Sequence, residues 1–357
     1  MSKIQCILNS LEQLNLDALF LVKKSNVNYI SAFTDEAAYV LISKKGNFLI
    51  TDGRFVELAE KLCNPNGFKV LNWNKYGKNL IAGVTAISKE LCIKRLGFER
   101  ASMTFDMFDN LGKALETVEL VPTSDIVENL RYVKNEKEIS LLREAGNITD
   151  KSFQEILEFI KPGMTETEVA AKLEYIIKLN GGDGVGFETI LISGAKTSLP
   201  HGKPDNKIIE VGDFITLDFG ALYKGYTADM TRTIVIGKAN PKQLEVYNLV
   251  KEAQQAGMEA IKDGVTSKHP DDVIRKIVAP YIEYYYPGIG HGVGLDLHEQ
   301  PFLGINGDRI IKKNCVITVE PGLYIPNWGG VRIEDSVLVL EEGVERFNNC
   351  TKDLISL

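Results

Sequence analysis

Four acidic residues occupy matching places in a duplicated strand motif. The segment ITLDFG, which contains Asp218, reappears as ITVEPG, which contains Glu320. A second apolar run led by an acid follows each copy and supplies Asp229 and Glu334. Each copy therefore predicts two neighbouring strands with a carboxylate at a buried position on each. Four like charges that lie close together in an apolar setting need a compensating cation, so the pattern predicts bound metal.

The spacing of the acids indicates how each pair is brought together. Asp218 and Asp229 are 11 residues apart, Glu320 and Glu334 are 14 apart, and each pair brackets a turn. The two acids of each copy are therefore predicted to face each other across paired strands. A single such acid would more often be a surface residue or a member of an ion pair. Four acids at equivalent positions of a repeat favour a site instead.

A histidine completes the candidate ligand set. His291 is one of four histidines in the chain, and the flanking Gly290 and Gly292 allow backbone and ligands to approach it closely. Carboxylates with one imidazole and no thiolate suit Mn²⁺, Co²⁺, Fe²⁺ or Zn²⁺. Five ligands are too many for a single catalytic zinc, which typically has three. With bridging carboxylates they suit two metals about 3.5–4 Å apart.

The chemistry of such a site is hydrolytic. Two metals lower the pKa of a bridging water to near neutral and polarise a scissile carbonyl. His201 and His298 are candidates to donate to the carbonyl oxygen or to the developing gem-diolate. Arg332 is a candidate partner of a bridging carboxylate, and a surface ion pair is the alternative for it. His269 is predicted to be exposed to solvent.

The elements that must position these residues fall into two predicted domains. Residues 1–123 alternate helical and strand patterns and predict a smaller mixed α/β domain that ends near Pro122. Residues 124–357 predict one α+β domain with internal pseudo-two-fold symmetry. The duplication there extends to a helix end, because EFIKPGMT at 158–165 matches EAIKDGVT at 259–266. Thr165 and Thr266 are predicted to cap the following helices, and the helices to pack on one face of a shared antiparallel sheet.

Composition narrows the class of protein. The chain has 357 residues, of which 44% are hydrophobic and 25% charged, as in ordinary globular proteins. A formal net charge of −7 argues against nucleic acid or an anionic membrane as the main partner. The five cysteines are dispersed, which suits reduced thiols. Neither a signal peptide nor an apolar run long enough to span a bilayer is recognised, so we expect a cytoplasmic protein.

The motifs resemble the metal-dependent peptidases of the pita-bread fold, namely methionine aminopeptidase, aminopeptidase P and prolidase (Xaa-Pro dipeptidase). The matching segments are PHG, ITLDFGALYKGYTADMTRTIVIG, GHGVGLDLHEQP and ITVEPGLYIPNWGGVRIEDSVLV. The segment NVNYISAFTDEAAYVLISKKGNFLITDGRF resembles the creatinase/prolidase N-terminal domain. Methionine aminopeptidases lack that domain, so the resemblance favours the prolidase and aminopeptidase P branch.

The resemblance implies roles for the candidate residues. Asp229 and Glu334 would bridge two metals and Asp218 would bind one of them. His291 and Glu320 would complete the other, with Glu320 also placed for proton transfer. It further implies a homodimer that cleaves the peptide bond before proline in small peptides. Mn²⁺ is the first choice of metal, and Co²⁺ and Zn²⁺ are the alternatives.

His201 and His298 match the substrate-facing histidines of the family, and Arg332 joins them as a catalytic candidate. One departure is Pro287, because many relatives carry a substrate-facing histidine four residues before the metal-binding one. Proline can neither donate a hydrogen bond nor titrate, so one substrate contact is expected to be lost.

The first hypothesis is a dinuclear-metal Xaa-Pro dipeptidase. The alternative within this class is an aminopeptidase P that acts on longer Xaa-Pro peptides. A non-catalytic binding protein on the same scaffold would predict lost ligands, whereas all five candidates are present. A creatinase-like amidinohydrolase would not need the full ligand set.

Overall fold

The computed structural model describes residues 2–34, 37–77 and 79–357. The chain divides into two compact units, residues 1–131 and 132–357. The predicted boundary after Thr123 falls at the end of a strand, and one short helix lies between it and this division. No helix in the described part of the chain is both long enough and apolar enough to cross a membrane.

The first unit is a mixed sheet with helices, as the alternating pattern predicts. Its helices are α1 Lys3–Gln13, α2 Lys24–Ser31, α3 Val56–Cys63, α4 Leu80–Glu90, α5 Phe105–Ala114 and α6 Glu128–Arg131. Its strands are β1 Ala18–Leu21, β2 Ala38–Ser43, β3 Gly46–Thr51, β4 Phe68–Asn72, β5 Arg95–Glu99 and β6 Glu119–Thr123. They form a six-stranded sheet in the order β4-β3-β2-β1-β5-β6. Pro122 lies inside β6, which tolerates it because β6 is an edge strand.

The second unit contains the repeat. Its helices are α7 Glu136–Phe159, α8 Glu166–Leu179, α9 Pro241–Glu259 and α10 His269–Ile277. The strands of its first half are β7 Gly184–Val185, β8 Ile190–Ser193, β9 Phe214–Phe219, β10 Ala221–Tyr223, β11 Tyr226–Thr227 and β12 Met230–Val235. Those of its second half are β13 Gly290–Gly292, β14 Glu299–Leu303, β15 Val316–Val319, β16 Gly322–Ile325, β17 Gly329–Arg332, β18 Asp335–Val339 and β19 Val344–Arg346.

Backbone pairing confirms the pseudo-two-fold symmetry. Thr165 bridges Ile208 in the first half, and Thr266 bridges Ile310 in the second. Each half also has its own apolar core. Residues of α7 and α8 pack with β8, β9 and β12, whereas residues of α9 and α10 pack with β15 and β18. The helices of each half therefore cover the strands of that half, which is the α+β architecture expected from the duplication.

Two details of the prediction are wrong. The antiparallel strands do not form one shared sheet. They form β12-β9-β8, β14-β13-β15-β18-β19, β11-β10-β7 and β16-β17. Between the halves, the Thr233 hydroxyl bonds to the Arg332 backbone in place of a continuous ladder. Thr165 caps α8 in a capping box with Glu168, but Thr266 does not cap α10, because that helix begins only at His269.

Candidate metal centre

The acids of the first half lie at the end of a two-stranded ribbon. Asp218 is on β9, opposite Thr231 of β12, and Asp229 immediately precedes β12. Asp229 is therefore offset along the ribbon from Asp218, so the predicted facing arrangement is wrong for this pair. In the second half the ladder ends at Val319 and Asp335. Glu320 and Glu334 follow and precede that last pair, so the facing arrangement holds for the glutamates.

A glycine makes the first ribbon possible. A Cβ on Gly220 would lie 1.6 Å from the Ala228 carbonyl oxygen. We expect Gly220→Ala to cost about 3 kcal/mol of stability, because backbone would have to move to relieve the overlap. Calorimetry should record a lower melting temperature. Gly112→Ala is the matched control, since nothing lies within 4 Å of that Cβ and the position is helical and exposed. Equal melting temperatures for the two variants would contradict the conclusion that the close approach of the Ala228 carbonyl requires glycine at position 220.

His291 is fixed on β13, an inner strand of the five-stranded sheet of the second half. Its backbone N–H donates to the Thr318 hydroxyl, and its Nδ1 lies 3.1 Å from the Gly292 carbonyl oxygen. Cβ atoms on Gly290 and Gly292 would lie 2.0 and 2.3 Å from carbonyl oxygens of the neighbouring strands. The glycines therefore allow the neighbouring strands to approach. The Nε2 atom is left to face the acids, 3.3 Å from Glu320 Oε1 and 3.6 Å from Asp229 Oδ2.

The structure brings all five predicted ligands to one buried place. Asp229, His291 and Glu334 each offer one ligand atom, and these atoms all lie within 4.8 Å of one another. Glu320 joins them through His291. Asp218 lies close enough for its charge to raise the pKa of Asp229, and its Oδ2 accepts from Arg332 Nη2 at 2.5 Å.

Burial and mutual repulsion dominate the electrostatics of Asp218, Asp229 and Glu334, whereas at Glu320 burial is outweighed by the hydrogen bond and charge of His291, which lower its pKa. Burial, followed by the charges of neighbouring acids, holds the pKa values of Asp229 and Glu334 well above their usual range. Burial also raises the pKa of Asp218, although Arg332 opposes it. Burial alone would lower the pKa of His291, but the hydrogen bond to Glu320 and its charge raise it to about 9. Only added positive charge would let all four acids ionise together.

These residues fit a divalent metal. Asp218 Oδ1 and Glu334 Oε1 are buried and have no hydrogen-bond partner among the described residues. Buried carboxylate oxygens without a partner are rare in folded proteins and require an explanation such as an ion. Hard oxygen donors with one imidazole are the ligands that first-row divalent cations prefer. The set thus offers both the charge and the free lone pairs for metal.

Arg332 is buried and not a surface residue, so the alternative of a surface ion pair is wrong. Its side chain is 4% exposed and contacts Asp218, Thr231, Tyr324 and the Pro200 carbonyl. Its charged partner is Asp218, not an acid assigned as a bridge. The Tyr324 hydroxyl accepts from Nη1 at 2.7 Å, which holds the tyrosine beside Asp218.

Sequence reasoning missed two threonines and one tyrosine. The Thr231 hydroxyl donates to Glu334 Oε2 at 2.6 Å, and the Thr318 hydroxyl donates to Glu320 Oε1 at 3.2 Å. Thr231 lies two residues after Asp229 and Thr318 two residues before Glu320, and an extended chain puts residues at that spacing on one face. That spacing was a usable signal. Tyr324 had none, because its contact depends on the fold of the β16-β17 hairpin.

The two candidate substrate-facing histidines lie at the exposed side of the site. His298 stacks edge-on against His291 with ring centroids 4.3 Å apart. Burial and the nearby His291 lower the pKa of His298, and His201 contributes in the same direction. Both His201 and His298 are exposed. Pro287 is also exposed, and His269 is exposed as predicted.

Comparison with known proteins places this centre in a family. The sequence pattern of metallopeptidase family M24 matches residues 140–341, and that of the creatinase/prolidase N-terminal domain matches residues 3–133. The chain belongs to metallopeptidase family M24, and its second unit is the pita-bread catalytic domain of that family. It is a metal-dependent peptidase.

Individual relatives match over nearly the whole chain. A solved Xaa-Pro dipeptidase from Bacillus anthracis is 41% identical with a TM-score of 0.95, over 99% of both chains. An Xaa-Pro dipeptidase from Pyrococcus horikoshii is 37% identical over 99% of this chain and 98% of its own. A solved X-Pro aminopeptidase from Thermotoga maritima is 33% identical with a TM-score of 0.92, over the full length of both.

Proposed function

We propose that this peptidase hydrolyses the Xaa-Pro bond of dipeptides with two divalent metal ions. The observation that carries the proposal is the convergence of three buried carboxyl groups, the partly buried Glu320 and His291 in a chain of the M24 family. The Xaa-Pro dipeptidases among its full-length relatives support the choice of substrate. Mn²⁺ is our first choice of metal, with Co²⁺ or Zn²⁺ as alternatives.

The ligand roles are those that the resemblance to the family implies. Asp229 and Glu334 would bridge the ions, Asp218 would bind one of them, and His291 with Glu320 would bind the other. When bound, the ions would lower the pKa of a water molecule and polarise the scissile carbonyl. Arg332 holds one oxygen of Asp218, and the other, Oδ1, has no hydrogen-bond partner among the described residues and could bind a metal ion.

The remaining chemistry belongs to side chains around the ligands. Thr318 orients Glu320 by donating to Oε1. Glu320 can then accept a proton from the attacking water and deliver it to the leaving proline nitrogen. His201 and His298 would donate hydrogen bonds to the carbonyl oxygen as negative charge develops on it. Loss of one such donor typically costs about 10²–10³ in kcat.

The second candidate is an aminopeptidase P activity on longer Xaa-Pro peptides. The full-length match to an X-Pro aminopeptidase favours keeping it. The two activities differ in the proline carboxyl group of the substrate, which is a free carboxylate in a dipeptide and part of a peptide bond in a longer peptide.

A substrate panel separates the two candidates. After reconstitution with Mn²⁺, we expect Xaa-Pro dipeptides to be cleaved at least about tenfold more efficiently than Xaa-Pro-Xaa tripeptides, since one charged contact is worth about 1.4 kcal/mol or more. Measurement of kcat/KM by release of the first amino acid tests this. Met-leading peptides without proline serve as the control. Cleavage of tripeptides but not dipeptides would make the protein an aminopeptidase P.

We also propose that the protein is a cytoplasmic homodimer. The free state of the cysteines supports a reducing compartment, and the resemblance to prolidase supports a dimer. Sedimentation of the purified protein tests the second point, and a monomer would contradict it.

A further inference from the structure

A segment of the first half carries His201 past the metal centre. It runs from the end of β8 at Ser193 to Asp205 and includes a 3-10 helix, Gly194–Ser198. We call it the His201 segment. Its middle is tied to the centre, because the Gly330 N–H donates to the Thr197 hydroxyl and Arg332 Nη1 donates to the Pro200 carbonyl. The position of His201 therefore depends on how this segment is held.

Glu166, the first residue of α8, holds both ends of the His201 segment. Its Oε1 accepts from the backbone N–H and hydroxyl of Ser193, at 2.7 and 3.0 Å. Its Oε2 accepts from Lys196 Nζ at 2.7 Å and from the Asp205 N–H at 3.2 Å. The carboxylate is 0% exposed, and Lys196 also pairs with Asp205. One buried side chain thus joins the two ends of the segment.

The repeat indicates that the fold alone does not require this glutamate. At the equivalent place of the second half, Thr266 bridges Ile310 as Thr165 bridges Ile208. The next residue there is Ser267, whose N–H donates to the Arg309 carbonyl as the Glu166 N–H donates to Lys207. The Ser267 hydroxyl accepts from the Arg309 N–H, and Ser267 is also fully buried. A serine occupies this place in the second half, where the segment between β13 and Ile310 carries His298.

We propose that Glu166 is a positioning residue that fixes His201 for its contact with substrate. This inference rests on the proposed function, because that function supplies the substrate that His201 would contact. The carboxylate fixes the segment through four hydrogen bonds, and burial makes those bonds strong. A displacement of about 1 Å at a positioned group can cost about 10²-fold in rate.

The test is a double-mutant cycle between Glu166 and His201. We expect Glu166→Ser, which copies the second half, to lower kcat/KM about 100-fold. In the His201→Ala background the same substitution should lower it less than about threefold, because its effect passes through the histidine. Glu166→Gln keeps an acceptor for Ser193 and should give an intermediate loss. Similar losses from Glu166→Ser in both backgrounds would overturn the inference.

A spectroscopic measurement makes the test independent of activity. The chain has four histidines, so the His201 ring signal can be assigned by its disappearance in His201→Ala. In Glu166→Ser, we expect that signal to broaden or shift while the His269 signal stays unchanged. An unchanged His201 signal would contradict positioning. Absence of Xaa-Pro cleavage by the unaltered protein would instead count against the proposed function.

Asp271→Asn is the matched control. Asp271 is a 0% exposed acid on α10, and it accepts from Arg275 and from the Tyr285 hydroxyl. Both of these partners lie in the second half, outside the His201 segment. We expect it to lower the melting temperature without moving the His201 signal. If Asp271→Asn shifted the His201 signal as much as Glu166→Ser does, loss of any buried acid would be sufficient to displace His201, and the inference would be wrong.

Discussion

Asp229→Ala should abolish peptide hydrolysis and lower metal stoichiometry together, with kcat/KM reduced at least about a thousandfold. We expect this double loss because Asp229 lies close to both His291 and Glu334. Its carboxylate belongs to the group of ligand atoms that lie within 4.8 Å of one another, and its Oδ2 is 3.6 Å from His291 Nε2. A residue that bridges two ions serves both, so its loss cannot be confined to one metal.

Metal content after dialysis and kcat/KM on an Xaa-Pro dipeptide are the two measurements. Asp229→Asn tests the charge alone, because it keeps the size of the side chain. Asp271→Asn removes another buried acid of the same unit and should keep its metal. Full metal stoichiometry in Asp229→Ala, or full activity without metal, would refute the proposed ligand roles.

The four acids could be proposed as ligands from the sequence alone, because the strand pattern around them is local and occurs twice. Asp218 and Glu320 follow the same alternation of apolar residues, and burial of such a strand can be read from its pattern alone. The helices α7 and α9 were predicted for the same reason. Local patterns, however, do not determine which strands pair across the repeat. The split of the predicted shared sheet and the offset of Asp229 from Asp218 both depend on that non-local register.

The residues around the ligands were harder to predict for a related reason. Arg332 could be recognised as a candidate, but its partner Asp218 lies on a strand of the other half. Glu166 had an ordinary explanation, since acids are favourable in the first turn of any helix. Its contacts to the His201 segment exist only after α8 packs beside β8. Such residues become visible only when tertiary contacts are known.

Removal of divalent metal should abolish activity and destabilise the second unit. A ligand that binds only the folded state at a hundred times its Kd stabilises it by about 2.7 kcal/mol, so chelation should lower the melting temperature by a measurable amount. Without metal, the buried acids lose the positive charge that offsets their repulsion. The buried oxygens of Asp218 and Glu334 that have no described partner would also remain without one.

When metal is added back to the metal-free protein, the two ions should bind with different affinities, because their ligands are not equivalent. Asp229, His291 and Glu334 already lie together, whereas one oxygen of Asp218 is held by Arg332. The ion that depends on Asp218 should therefore bind more weakly. Calorimetric titration with Mn²⁺, repeated with Co²⁺ and Zn²⁺, should resolve two affinities, and Asp229→Ala should eliminate both. A single class of sites with full activity at one equivalent would contradict the two-ion proposal and leave a mononuclear peptidase as the better account of the same five residues.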